Sequence, residues 1–249
     1  MTNAIDILRA GNETGTIADG SLPELTVDEG QSLLLQVLET YRMGGDKLAG
    51  YKIGLTSGAA RDVFGPGIRP FGYILGRRVI ADAGTVSLSG IGRLGLENEL
   101  AFRLGTDLSG ANVSAADART AVEAVAPAFE INQDRLLGKP SRGARVADNL
   151  SQWGIAVGPF SDPDLDYEGL VVGLRHNGAL VQEVAALGHI DDHFESIATL
   201  ARGLHAHKRH LRRGMVVFTG SYTRWQVGSA GDYVGDFGAL GQVHLNVID

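Results

Sequence analysis

One stretch restricts the fold more than any other. Leu96, Leu100, Phe102 and Leu104 alternate with Glu97, Glu99, Ala101 and Arg103. Successive side chains of a strand point to opposite faces, so this period of two predicts a strand with one apolar and one charged face. A single strand cannot bury its own leucines, so the chain must build a sheet and cover it. The same signal recurs from about residue 73 onward. Asn177-Gly178 separates two apolar runs within residues 171–184, and both turn residues tolerate positive φ, as a tight hairpin requires. GMVVFTGS, from Gly214, and VHLNVI, from Val243, read as closing strands. Glycine supplies 35 of 249 residues, about twice its usual share, and most of these lie where strands must turn.

Helices are fewer and mostly early. Thr26 and Glu29 form a capping box, followed at helical spacing by Leu34, Val37, Leu38 and Tyr41, with Gly44-Gly45 as the stop. A second helix is expected from Ser114, boxed by Asp117, to a point before Pro127, and a third from about Asp192 to Leu204. Strand runs with a few segregated helices predict an α+β fold around a curled, largely antiparallel sheet. The length suits one domain over residues 1–249, mostly helical over 1–72 and β-rich over 73–249.

Composition removes several function classes. A hydrophobic share of 44% is too high for a disordered chain, and a net charge of −7 lacks the basic footprint of a nucleic-acid binder. No run reaches the ~20 apolar residues of a membrane span. There is no cysteine, so disulfides, zinc–thiolate sites and thiol nucleophiles are excluded. The N-terminal segment has no apolar core of an export signal, and a cytoplasmic protein without nucleic-acid or membrane partners is expected.

Two motifs are decoys. Gly90-Ile-Gly92-Arg-Leu-Gly95 matches a dinucleotide fingerprint but leads into the period-two strand rather than into a helix. His205, His207 and His210 lie among Lys208, Arg209, Arg212 and Arg213, which repel a metal ion; the segment reads as a solvated helix end. Trp153 and Trp225 read as packing residues.

Glu97-Asn98-Glu99 places two carboxylates on one strand face, where like charges repel, raise a pKa or bind a cation. The alternative is a solvated face balanced by Arg103. Glu130, in the apolar segment Ala126–Ile131, is a third acid of a kind rarely buried unpaired. Three carboxylates with waters or substrate oxygens suit Mg²⁺ or Mn²⁺. Lys52, within GYKIGLTS, either holds a carboxylate, moves a proton or merely snorkels. The segments Asp148–Ser151 and Thr219–Ser221 are either turns or sources of hydroxyls and amides for an anionic ligand.

In this order, GYKIGLTS, LENELAF, PAFEI with Asp134-Arg135, ADNLS, FTGS and a GD–FG–LG tail resemble the 2-keto-4-pentenoate hydratase / 4-oxalocrotonate decarboxylase family of the fumarylacetoacetate hydrolase-like superfamily, over residues 30–245. The resemblance implies a mixed β-roll of the fumarylacetoacetate hydrolase C-terminal domain type behind an N-terminal helical segment. It implies Glu97, Glu99 and Glu130 as ligands to Mg²⁺ or Mn²⁺, and Lys52 as the active-site lysine. Leu55, Thr56, Ser151 and Ser221 would line the substrate pocket. The implied activity is a metal-dependent hydro-lyase of aromatic catabolism. It would add water to a small 2-hydroxyalka-2,4-dienoate, or its 2-oxo tautomer, to give a 4-hydroxy-2-oxo acid. The alternatives are a decarboxylase of a 2-oxo-dioate, a C–C hydrolase of a diketo acid, and a non-catalytic partner subunit. A homo-oligomer is expected. Two departures stand out: Pro70 replaces an acid before Phe71-Gly72, so the chain either lacks that acid or uses another group, such as Asp62, and Trp153 follows ADNLS, where a Trp can reshape the pocket.

Overall fold

A computed structural model of the chain describes residues 3–249. Helices α1 (Ala4–Thr14) and α2 (Val27–Met43) come first, then strands β1 (Leu48–Ile53), β2 (Phe71–Leu75), β3 (Val79–Ala81) and β4 (Gly84–Ser87). The single-turn α3 (Leu88–Ile91) precedes the long strands β5 (Leu94–Leu104) and β6 (Val122–Gln133), which flank α4 (Ala115–Ala121). After α5 (Arg142–Ala147) come β7 (Gln152–Val157), β8 (Val171–His176), β9 (Ala179–Ala185) and α6 (His193–Ala206). Strands β10 (Val216–Ser221), β11 (Trp225–Gln226), β12 (Gly231–Asp236) and β13 (Gln242–Ile248) close the chain.

The local signals act as chemistry dictates. The Thr26–Glu29 box forms in both directions, as does that of Ser114 and Asp117. Asn177 and Gly178 turn the β8–β9 hairpin at φ 49° and 81°. The helix from Ser114 ends at Ala121, before Pro127 as expected, and Val122 to Gln133 pair as a strand with β5, with Pro127 opposite Leu100. One expectation moves. The N-terminal part is helical only to Met43. Leu48–Ile53 is an interior strand, parallel to β10 and antiparallel to β2, so residues before 73 help build the main sheet.

That sheet has eight strands, in the order β2-β1-β10-β5-β6-β7-β3, with β11 on β5. Strands β2 and β7 lie near opposite ends of this order yet touch, so the sheet curls into a roll. A second, five-stranded sheet, β4-β13-β12-β8-β9, packs on its outside. The alternation in β5 sorts its side chains between two environments. Leu94, Leu96, Leu100, Phe102 and Leu104 enter the main core with Phe129, Leu174 and Val243. Ala101 points to the other face, where Ala126, Ala128, Ile74, Ile155 and Phe218 make a small cluster inside the roll. Among the described residues no helix is long and apolar enough to cross a membrane.

Candidate active site

Register decides which acids meet. Glu97 of β5 lies directly opposite Glu130 of β6, and Glu99 opposite Ala128, so all three carboxylates share the inner face of the roll. One oxygen of each lies within 4.8 Å of the others. Glu97, Glu99 and Glu130 are 8%, 3% and 2% exposed, which excludes the solvated-face alternative. Lys52 of β1 comes in across β10 and is also buried. Its ammonium forms an ion pair with Glu130 and donates to the Leu150 carbonyl at 3.3 Å.

The electrostatics follow from burial. Glu99 is pushed well above the usual carboxylate range, first by loss of solvent and then by the charges of Glu130 and Glu97. Burial also raises Glu130, with Lys52 opposing it. Glu99 accepts the Gly220 amide at 2.9 Å. Gly220 has φ 141°, and a Cβ on it would lie 2.3 Å from the Thr56 hydroxyl, so a side chain here is excluded on two counts. Glu97 is met at 2.6 Å by Arg224, whose side chain is 65% exposed. With all three ionised, the carboxylates exceed Lys52 and Arg224 by one negative charge. Converging, buried, hard oxygen donors with surplus negative charge fit a divalent cation such as Mg²⁺. No other group of three His, Asp or Glu ligand atoms converges among the described residues, so the His205–His210 segment assembles no metal cluster.

The acids lie on the lining of a cleft of about 740 Å³. Lys52, Leu55, Thr56, Ser151 and Ser221 line it together with the three glutamates. Their roles differ in detail. The Thr56 hydroxyl is spent on the Thr219 carbonyl at 2.8 Å, whereas Ser221 faces Ser57 at 3.4 Å between oxygens. Leu55 and Ser151 sit in the left-handed region at φ 63° and 65°. Arg93, Arg145 and Arg224 also lie on its lining.

Of the alternatives at Pro70, the structure favours a missing acid, and Trp153 departs from its expected place. The Pro70 carbonyl accepts the Gly54 amide at 2.7 Å. Asp62 is bound by Arg69 at 2.6 Å and by the Gly67 amide at 3.0 Å, which hold its carboxyl low, and it does not line the cleft; it is no substitute acid. Trp153 does not line the cleft either. The Arg78 guanidinium stacks 3.9 Å from its ring centroid. Ser57 lay within the quoted motif without being singled out. Arg224 carries no motif, and the Leu150 carbonyl is a backbone group, so neither had a signal in the sequence.

No protein-family model matches the chain. It is 31% identical over 235 residues to the 2-hydroxyhexa-2,4-dienoate hydratase of Comamonas testosteroni, covering 91% of this chain and 88% of that one. It is 26% identical over 236 residues to the 2-oxo-hept-4-ene-1,7-dioate hydratase of Escherichia coli, with the same coverage. Its fold is similar to that of 4-oxalocrotonate decarboxylase from Pseudomonas putida G7, solved with magnesium and adipate. That match has a TM-score of 0.89 at 24% identity over 98% of this chain and 95% of the other.

Proposed function

The chain belongs to the 2-keto-4-pentenoate hydratase / 4-oxalocrotonate decarboxylase family, and from that premise we propose that it is a metal-dependent hydro-lyase acting on a 2-hydroxyalka-2,4-dienoate. The observation that carries the reading is the convergence of Glu97, Glu99 and Glu130 beside Lys52 on the lining of a cleft that also holds hydroxyl side chains. The three glutamates would hold Mg²⁺ or Mn²⁺, which when bound supplies positive charge where the dienoate's negative charge develops.

The chain's own groups supply the rest. Lys52 has three N–H donors and spends two on Glu130 and the Leu150 carbonyl, leaving one for a substrate carboxylate. Ser57 and Ser221 place two hydroxyls where a second anionic oxygen can be received. Lys52 Nζ can pass a proton to carbon and take up in its place the proton that leaves the 2-hydroxyl, so it ends the step as it began. Ketonisation adds a proton at the far end of the diene and leaves a conjugated ketone. Water then adds its oxygen to C4 and its proton to C3, giving a 4-hydroxy-2-oxo acid. The proposed setting is a cytoplasmic homo-oligomer acting on free small acids.

A second reading, decarboxylation of a 2-oxo-dioate, has one observation in its favour. The chain is also 26% identical over 218 residues, 85% of each chain, to a 4-oxalocrotonate decarboxylase of Pseudomonas sp.. The deciding experiment incubates the Mg²⁺-loaded protein with 2-hydroxydienoates bearing one or two carboxylates. Loss of the dienol absorbance with formation of a 4-hydroxy-2-oxo acid is expected. CO₂ release without hydration assigns the decarboxylase reading, and no turnover of any of them refutes both.

A further inference from the structure

Asn149, Leu150 and Ser151 lie consecutively in the left-handed region, at φ 57°, 52° and 65°, and none is glycine. Such a run is unfavourable for L side chains and persists only where the surroundings hold it. Its holder is identifiable. Arg135 is 0% exposed. Its Nη2 donates to the carbonyls of Asp148 at 2.8 Å and Gln152 at 3.3 Å, the residues on either side of the run. Its Nε donates to the Asp148 carboxylate at 2.8 Å, and its Nη1 to Gln133 at 3.3 Å. From the other side the Asn149 side chain donates to the Tyr73 carbonyl at 3.0 Å and accepts the Tyr73 amide at 2.8 Å. The run is thus clamped between the end of β6 and strand β2.

The clamp reaches the cleft. The Leu150 carbonyl receives Lys52 Nζ, so the conformation of this turn sets one of the two anchors of the lysine. Gly72, paired with Lys52 across the strands, makes room for the arrangement. A Cβ on it would lie 2.7 Å from Asn149 Oδ1 and 3.3 Å from Lys52 Cγ. A lysine at position 135 could still pair with Asp148. Its point charge cannot reproduce the planar fork that spans two carbonyls while binding a carboxylate.

We propose that Arg135 is a positioning residue for Lys52: it holds residues 149–151 left-handed and so aims the Leu150 carbonyl at the lysine ammonium. The inference rests on the role of Lys52 in the proposed function, and the test separates the two. Arg135→Lys is expected to lower kcat about 10–100-fold, with a rise in KM because Lys52 also donates to the substrate carboxylate, while the half-saturating Mg²⁺ concentration stays within about threefold. In a Lys52→Met background the same change should alter kcat less than about twofold, because the group it acts through is gone. A crystal structure of Arg135→Lys should show Leu150 outside the left-handed region and Lys52 Nζ beyond hydrogen-bond reach of its carbonyl. An equal loss of kcat in both backgrounds, a Mg²⁺ requirement that moves as far as kcat, or an unchanged Leu150–Lys52 contact overturns the proposal. If Arg135→Lys does not fold, Asn149→Gly, which cuts the Tyr73 bonds without backbone strain, is judged by the same criteria. A wild-type protein inactive on every dienoate refutes the proposed function, and the variant crystal structures still decide this inference.

Discussion

Replacing Glu99 by glutamine separates the cost of the acidic cluster from its use. Glu99 is 3% exposed and shares a 4.8 Å neighbourhood with Glu97 and Glu130. Two unit charges at that distance repel by about 3 kcal/mol at an effective dielectric of ~20. Lys52 and Arg224 offset part of this. Glutamine keeps an oxygen for the Gly220 amide and removes the charge. Stripped of metal, Glu99→Gln should therefore be more stable than the wild type by about 1–3 kcal/mol at pH 7, or a few degrees in Tm for a chain of this size. The sign with pH follows from the raised carboxyl. The folded state binds the proton more tightly than the unfolded one, so the stability tied to that proton is complete below the unfolded value of 4.5 and is lost as pH rises through the folded one. The advantage of the variant should grow from pH 5 to pH 8. Saturating Mg²⁺ should reverse the order. At a hundredfold excess over Kd the wild type gains about 2.7 kcal/mol, and a variant with a broken ligand set gains far less. Urea unfolding in EDTA and in Mg²⁺, followed by tryptophan fluorescence, measures both. A variant less stable than wild type in EDTA at every pH, or equal stabilisation of both proteins by Mg²⁺, would refute the reasoning.

Three further outcomes are expected. Arg224→Ala should tighten Mg²⁺ binding several-fold in calorimetric titration, because the guanidinium competes for Glu97; weaker binding would show that it supports the site instead. His193 is buried against Thr219 and Tyr222, and desolvation brings it down to about 4 from 6.5. Its contribution is complete above pH 6.5 and disappears as pH falls towards 4, so His193→Gln should cut the acid-side loss of stability by up to about 3 kcal/mol, read by urea unfolding at pH 7 and 4.5. Gly220→Ala should cost about 2–3 kcal/mol and abolish turnover, because its Cβ meets the Thr56 hydroxyl and its amide no longer reaches Glu99; a fully active, stable variant contradicts the packing described.

Much of this protein was legible in the chain because its signals are local. The alternation in residues 94–104 is a statement about strand faces, and it sorted Leu100 and Phe102 into the core and Glu97 and Glu99 onto the other side. The capping boxes at Thr26 and Ser114 and the Asn177-Gly178 turn depend on hydrogen bonds and φ angles within a few residues, and they form where they are written. Where tertiary pairing competes with local preference, the reading moved. Leu48–Ile53, inside the part read as mostly helical, becomes an interior strand because β10 and β2 lie ready on either side.

The amino-acid order by itself determined that two carboxylates share a strand face, that a third stands in an apolar segment, and that any metal here must be held without thiols. Only the tertiary structure brought Glu130 opposite Glu97 and Lys52 in from a strand 78 residues away, because strand register is a long-range property that no spacing records. It also removed Asp62 and Trp153 from the cleft, through partners at Arg69 and Arg78 that no motif announced. The left-handed turn at Asn149–Ser151 belongs to the same class. Three unfavourable backbone conformations are invisible in a sequence, and they exist here because a buried guanidinium and an asparagine side chain hold them from both sides.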